Sequence, residues 1–180
     1  METQRIRLED LFRLFSAGVG ECLWHAERPS RAFGLMGLLF GPPESAGCTE
    51  ALRATPAWRI VEAAYRYGME GVPSDFDPAL ERLGGLMPPS GEWNTVIGTC
   101  EARRRLDGGA ELDVDEIALL AMAGRRTVLD AINDGKLAAR EEGGCGYLVV
   151  SPESASDWLL RRGDFQPTRA GDVAMPLERV

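Results

Sequence analysis

The sequence predicts a mainly α protein, an N-terminal all-helical domain followed by a small winged helix-turn-helix with one β-hairpin. Three observations carry this. Apolar residues recur at helical spacing from Leu8 onward, a pair of short helical segments joined by a tight break fills residues 113–134, and two β-prone stretches flank the glycine-rich "EEGGCG" at 141–146. The expected boundaries are a helical domain over 1–108, the winged module over 109–165 and a tail over 166–180, with "LDGGAELD" at 106–113 as the linker. The N-terminal domain is expected to be all helical over residues 1–110 around one shared core, and to serve dimerisation or the sensing of a partner or effector.

In the first helix the stripe runs Leu8, Leu11, Phe12, Phe15, Val19, Cys22, Leu23 and Ala26, the 3, 4, 7 pattern of one buried face. "AFGLMGLLF" at 32–40 is a second apolar helix, poor in β-branched residues and ended by Gly41-Pro42-Pro43. Thr55-Pro56 supplies a cap and a first-turn proline for a helix over 57–67 that Gly68 closes, and Asp77-Pro78 repeats the device. Ser90 starts another, with Trp93, Val96, Ile97 and Cys100 on one stripe. That stripe fades at Arg103-Arg104-Arg105, which reads as a solvated helix end or as a rake for a phosphate backbone.

After the linker, Asp113 caps a helix that buries Leu112, Ile117 and Leu120 and carries Asp115 and Glu116 in its first turn. A break at Met122 to Gly124 separates it from a second helix beginning at Arg125, whose inward stripe is Val128, Ala131 and Ile132, and Asp134-Gly135 stops that helix. Strands are expected over 136–140 and 147–150, joined across "EEGGCG". Ser151-Pro152-Glu153 then opens a closing helix with cap, first-turn proline and early acid, packed through Trp158 and Leu159 and ended at Arg161-Arg162-Gly163.

Composition limits the function. The chain has 180 residues, 44% of them hydrophobic and 27% charged, enough for one sizeable core or a helical domain plus a small module. No apolar run approaches the roughly 20 residues that span a bilayer, and "METQRIRLED" has no apolar signal core, so a cytoplasmic protein without a membrane partner is expected. The cysteines, Cys22, Cys48, Cys100 and Cys145, are spread singly, and the one histidine is His25. Four soft metal ligands would have to converge from four distant segments, so no metal site is expected. Phosphate-loop, metalloprotease and nucleophile-elbow signatures are absent, so neither an enzyme nor a cofactor is expected. Net charge is −8 and evenly spread: residues 1–110 carry 12 basic and 15 acidic groups, residues 111–163 carry 6 and 10, and the remainder carries 2 and 3. No segment is a basic arm.

The stretch "DEIALLAMAGRRTVLDAINDGKLAA", followed by "YLVVSPESASDWLLRR", is similar to excisionase-like and MerR-type helix-turn-helix modules over about residues 112–163. In those modules a capped first helix, a Thr-Val recognition helix and an "I-x-x-G-x-L" stretch precede a wing and a helix ending in Trp-Leu. The resemblance implies a DNA-binding regulator in which Arg125, Arg126, Thr127, Leu129, Asp130 and Asn133 face the major groove, while Lys136, Arg140 and the 141–146 turn lie over a neighbouring groove or phosphates. Double-stranded DNA is the partner this implies, and a homodimer is expected because one module with two arginines at its reading end gives too little contact for tight specific binding. Four positions depart from the family pattern: Met122 stands where glycine is usual, Gly124 where a serine cap is usual, and Glu141 and Glu142 in a wing that is commonly basic. The alternative is a protein-interaction module whose acidic wing docks on a basic partner.

Overall fold

The computed structural model describes residues 6–24, with side chains through Ala17, and residues 52–73, 91–144 and 146–169. Several expectations lie outside them: the apolar helix at 32–40, the Asp77-Pro78 start, the Ser90 cap, Ala26, His25, Cys48 and Cys145. The described elements are α1 (Leu8–Trp24), α2 (Pro56–Glu70), α3 (Gly91–Asp107), β1 (Leu112–Asp113), α4 (Val114–Leu120), α5 (Arg125–Asn133), β2 (Arg140–Glu142), β3 (Tyr147–Val150) and α6 (Pro152–Arg162). The described residues are thus mainly helical with one small antiparallel sheet. Among the described residues no helix is long and apolar enough to cross a membrane.

The chain divides into two compact units. Of the described residues, one unit holds 6–24, 52–65 and 91–94. Its core buries Leu11 and Val61 and brings Phe12 and Phe15 of α1 onto Trp58 of α2, with Phe12 edge-on to the Trp58 indole at 4.8 Å between ring centroids. The Thr55 hydroxyl accepts from the Trp58 amide at 3.2 Å, the expected cap ahead of Pro56.

The other unit holds 66–73, 95–144 and 146–169. Gly68 does not close α2, which continues to Glu70. A Cβ at Gly68 would stand 2.9 Å from the Cys100 sulfur, so glycine is there to let the helix pass close to α3. Burial pushes the Cys100 thiol up to about 12. The arginine triplet is neither a solvated helix end nor a phosphate rake as a whole. Arg103 is only 2% exposed. Its Nε donates to the Gly68 carbonyl at 3.1 Å, its Nη1 donates to the Gln166 carbonyl at 2.7 Å, and its guanidinium lies over the Phe165 ring. Asp107 accepts from the Tyr67 hydroxyl at 2.9 Å and from the Thr168 hydroxyl at 2.8 Å, so the first residues of the expected tail are held against α2 and α3.

The sheet has three strands in the order β1-β3-β2, not the hairpin alone. Leu112 pairs with Val150 and Asp113 with Val149, so the end of the expected linker forms an edge strand. Leu112 buries its side chain completely and gives its backbone to the sheet. The first hairpin strand also begins later than expected, at Arg140, and includes Glu141 and Glu142. Residues 136 and 137 are committed elsewhere: the Lys136 and Leu137 amides donate to the Ala131 carbonyl at 2.9 and 3.1 Å and close α5. One core joins Ala102 and Leu106 of α3 to Ile117, Val128, Leu137, Val150, Trp158 and Leu159.

Candidate functional site

The site begins with α4 and its cap. The Asp113 side chain accepts from the Glu116 amide at 2.8 Å, and the Glu116 side chain accepts from the Asp113 amide at 2.9 Å, a reciprocal capping box that starts α4 after a single strand pair. Ile117 and Leu120 then face the core.

The break between α4 and α5 has a defined geometry. The Ala123 amide donates to the Ala118 carbonyl at 2.9 Å and the Met122 amide to the Leu119 carbonyl at 3.1 Å, a Schellman closure. It puts Met122 at φ 46°, a left-handed conformation that no other non-glycine described residue adopts. Gly135 holds the equivalent place after α5 at φ 71°, with Lys136 donating to Ala131 and Gly135 to Ile132. Gly124 is the N-cap of α5 and provides no side-chain hydrogen bond, so its extended backbone alone turns the chain into the helix.

These turns leave the first residues of α5 outward. Val128 and Ala131 are buried, while Arg125, Arg126 and Thr127 are exposed. Asp130 and Asn133 are exposed as well, and so are Lys136 after the helix and Arg140 at the start of β2. Leu129 is half-buried and packs against the core. Seven of the eight residues picked out by sequence therefore present solvent-facing side chains, and Leu129 belongs mainly to the packing.

Each cation in this set is already paired. Arg125 donates to Asp115 at 2.5 Å, Lys136 to Asp134 at 2.8 Å, and the Arg126 Nε lies 4.0 Å from Asp130 one helical turn on. Arg140 meets Glu111 with two nitrogens, Nε to Oε1 at 3.1 Å and Nη2 to Oε2 at 2.5 Å, and stands 3.9 Å from Glu142. The Arg140 hydrogen bonds hold the Glu111 carboxyl below its usual range, and Glu111 in turn raises Arg140. Asp134 raises Lys136 in the same way.

The wing is tied down by its own acids. A Glu141 carboxylate oxygen accepts from the Gly146 amide at 2.7 Å and so holds the turn. The Tyr147 hydroxyl donates to Asp113 at 3.0 Å, which fastens β3 to the cap of α4 and pushes the phenol upward. Behind the wing, the Ser154 hydroxyl of α6 donates to the Ala138 carbonyl at 3.2 Å.

Sequence reasoning did not single out Glu111 and Asp115 as residues of this surface. Asp115 had a signal, as an acid in the first turn of a capped helix, but its partner lies ten residues on. Glu111 and Arg140 are 29 residues apart, and nothing in their spacing links them. Among the described residues no group of three His, Cys, Asp or Glu side chains is placed to hold a metal ion. No protein-family model, no curated protein and no solved structure matches the chain.

Proposed function

We propose that residues 109–165 form a winged helix-turn-helix that binds double-stranded DNA as part of a transcriptional regulator, without catalysis. In this proposal α4 and α5 are the paired helices, α5 enters the major groove, and the β2–β3 hairpin is the wing. The observation that carries it is the outward start of α5: Arg125, Arg126 and Thr127 are exposed on a helix whose Val128 and Ala131 anchor it in the core. The resemblance to excisionase-like and MerR-type modules points the same way. One module with two arginines at its reading end offers little contact, so tight binding calls for two copies on half-sites spaced by a helical turn or a multiple of it.

The ion pairs favour one alternative. Because every cation of the surface has a carboxylate partner and the wing carries Glu141 and Glu142, the same face suits docking on a basic protein partner. Selection from a pool of random duplexes at moderate salt separates the two. Enrichment of a short motif supports the DNA proposal, and its absence together with binding to a basic protein surface supports the alternative.

A further inference from the structure

Three of the five ion pairs are local: Asp130 is one turn from Arg126, Asp134 is two residues from Lys136, and Glu142 is two residues from Arg140. The other two are brought together by the fold, Asp115 from the start of α4 onto the start of α5, and Glu111 from the approach to β1 onto β2. Neither carboxylate is needed to start α4, since Asp113 and Glu116 form the capping box. Glu111 engages Arg140 through two oxygens, the fork geometry in which a phosphate or a guanine edge receives an arginine.

We propose that Glu111 and Asp115 are specificity-determining residues of the module, stand-ins for phosphate that occupy Arg140 and Arg125 until a cognate duplex displaces them. The proposal rests on the DNA-binding function above. On non-cognate DNA the contacts are to phosphate alone, and an arginine already held by a carboxylate gains little by exchanging one anion for another and releases few counterions. On a cognate site Arg125 gains a two-point contact to a base edge in the major groove and Arg140 reaches the neighbouring groove, contacts that an exposed, water-screened ion pair is too weak to prevent. The carboxylates therefore lower non-specific binding more than specific binding, which suits a module carrying 6 basic and 10 acidic groups over residues 111–163.

The test compares the full-length protein with Glu111→Gln, Asp115→Asn and the double variant on a selected duplex and on a scrambled one, between about 50 and 200 mM salt. Glu153→Gln serves as the charge control, because Glu153 is an exposed carboxylate at the start of α6 with no ion pair among the described residues. Each test variant is expected to tighten binding to the scrambled duplex by roughly three- to tenfold and to steepen its salt dependence, by about one power of salt for Arg125 and by less for Arg140, which keeps Glu142 at 3.9 Å. The selected duplex gains less, so the ratio between the two falls, while the control changes neither slope nor ratio. Wild-type protein that selects a motif, with variants whose slopes and ratios match it, overturns the inference and leaves the DNA proposal standing. If neither the wild type nor any variant binds any duplex at the lowest salt, both are overturned.

Discussion

Arg103 reaches from α3 to donate its Nε hydrogen to the carbonyl of Gly68, 35 residues earlier in the chain, at 3.1 Å. The same guanidinium donates to the Gln166 carbonyl, so one buried cation joins α2, α3 and the segment after α6 within a single unit. Removing it strands two backbone acceptors and uncovers Phe165. Arg103→Met is expected to cost about 1–3 kcal/mol in a denaturant titration. It should also speed amide exchange at Arg169, whose N–H donates to the Gly71 carbonyl next to this contact. Unchanged stability together with unchanged exchange would show that the guanidinium does not hold the segment.

Met122 provides a backbone test. Its left-handed conformation strains an L side chain by about 1–2 kcal/mol, while glycine costs roughly 0.5–1 kcal/mol of added unfolded-state entropy. Met122→Gly should therefore lie between neutral and about 1.5 kcal/mol more stable, and Met122→Ile should be destabilised by about 1 kcal/mol or more because a branched Cβ tolerates positive φ poorly. Urea midpoints measure both. A large loss in the glycine variant would mean that the methionine side chain contributes more by packing than its backbone loses.

The buried thiol of Cys100 makes stability fall in alkali. Its pKa in the fold is about 12, against roughly 8.5 for an unfolded cysteine, so the unfolded chain gives up a proton that the folded chain retains. The contribution is fully present below about pH 8.5 and declines by up to about 1.4 kcal/mol per pH unit until the folded value is reached. Tyr67, raised chiefly by burial and then by its hydrogen bond to Asp107, acts with the same sign above about pH 10. Cys100→Ala should flatten the decline between about pH 9 and 10. A slope equal to wild type would mean that the thiol is not shielded.

Binding variants separate the two proposed partners. If α5 reads DNA, Arg125→Ala and Arg126→Ala should each cost about 1–3 kcal/mol where the lost contact is bidentate to guanine. Glu141→Gln together with Glu142→Gln should tighten DNA binding with little change of motif, because wing charge acts on the phosphate backbone. Glutamine at 141 can still accept from the Gly146 amide, so the turn is preserved. A protein partner would give the reverse pattern, with the wing variants weakening association and the arginine variants having little effect. Thermal melts should show every variant folded, since these four side chains are exposed.

Much of the local structure was legible because its causes are local. Asp113 and Ser151 announce their helices as caps, Pro152 sits in a first turn, Asp134-Gly135 closes α5, and Val128 and Ala131 mark its inner face by spacing. Those signals depend on residues three or four apart, where hydrogen bonding and helical pitch leave few choices. They located α4, α5, β3 and α6, and with them the exposed start of α5.

Other features depended on which distant residues meet. Leu112 is expected inside the 106–113 linker and buried by the helix that follows; the burial holds, but its backbone also pairs with Val150, a contact that exists only once the hairpin has formed. Arg103 read as part of a solvated helix end or of a phosphate rake, and its burial required acceptors from residues 68 and 166. Glu111 and Asp115 became part of the candidate site by closing separations of 29 and 10 residues. The sequence by itself determined where helices start, stop and hide their apolar faces, because hydrogen bonding and pitch act over three or four residues. The third strand, the buried guanidinium and the carboxylates that hold the site's arginines were decided only by tertiary structure, since they rest on long-range closure that no local pattern encodes.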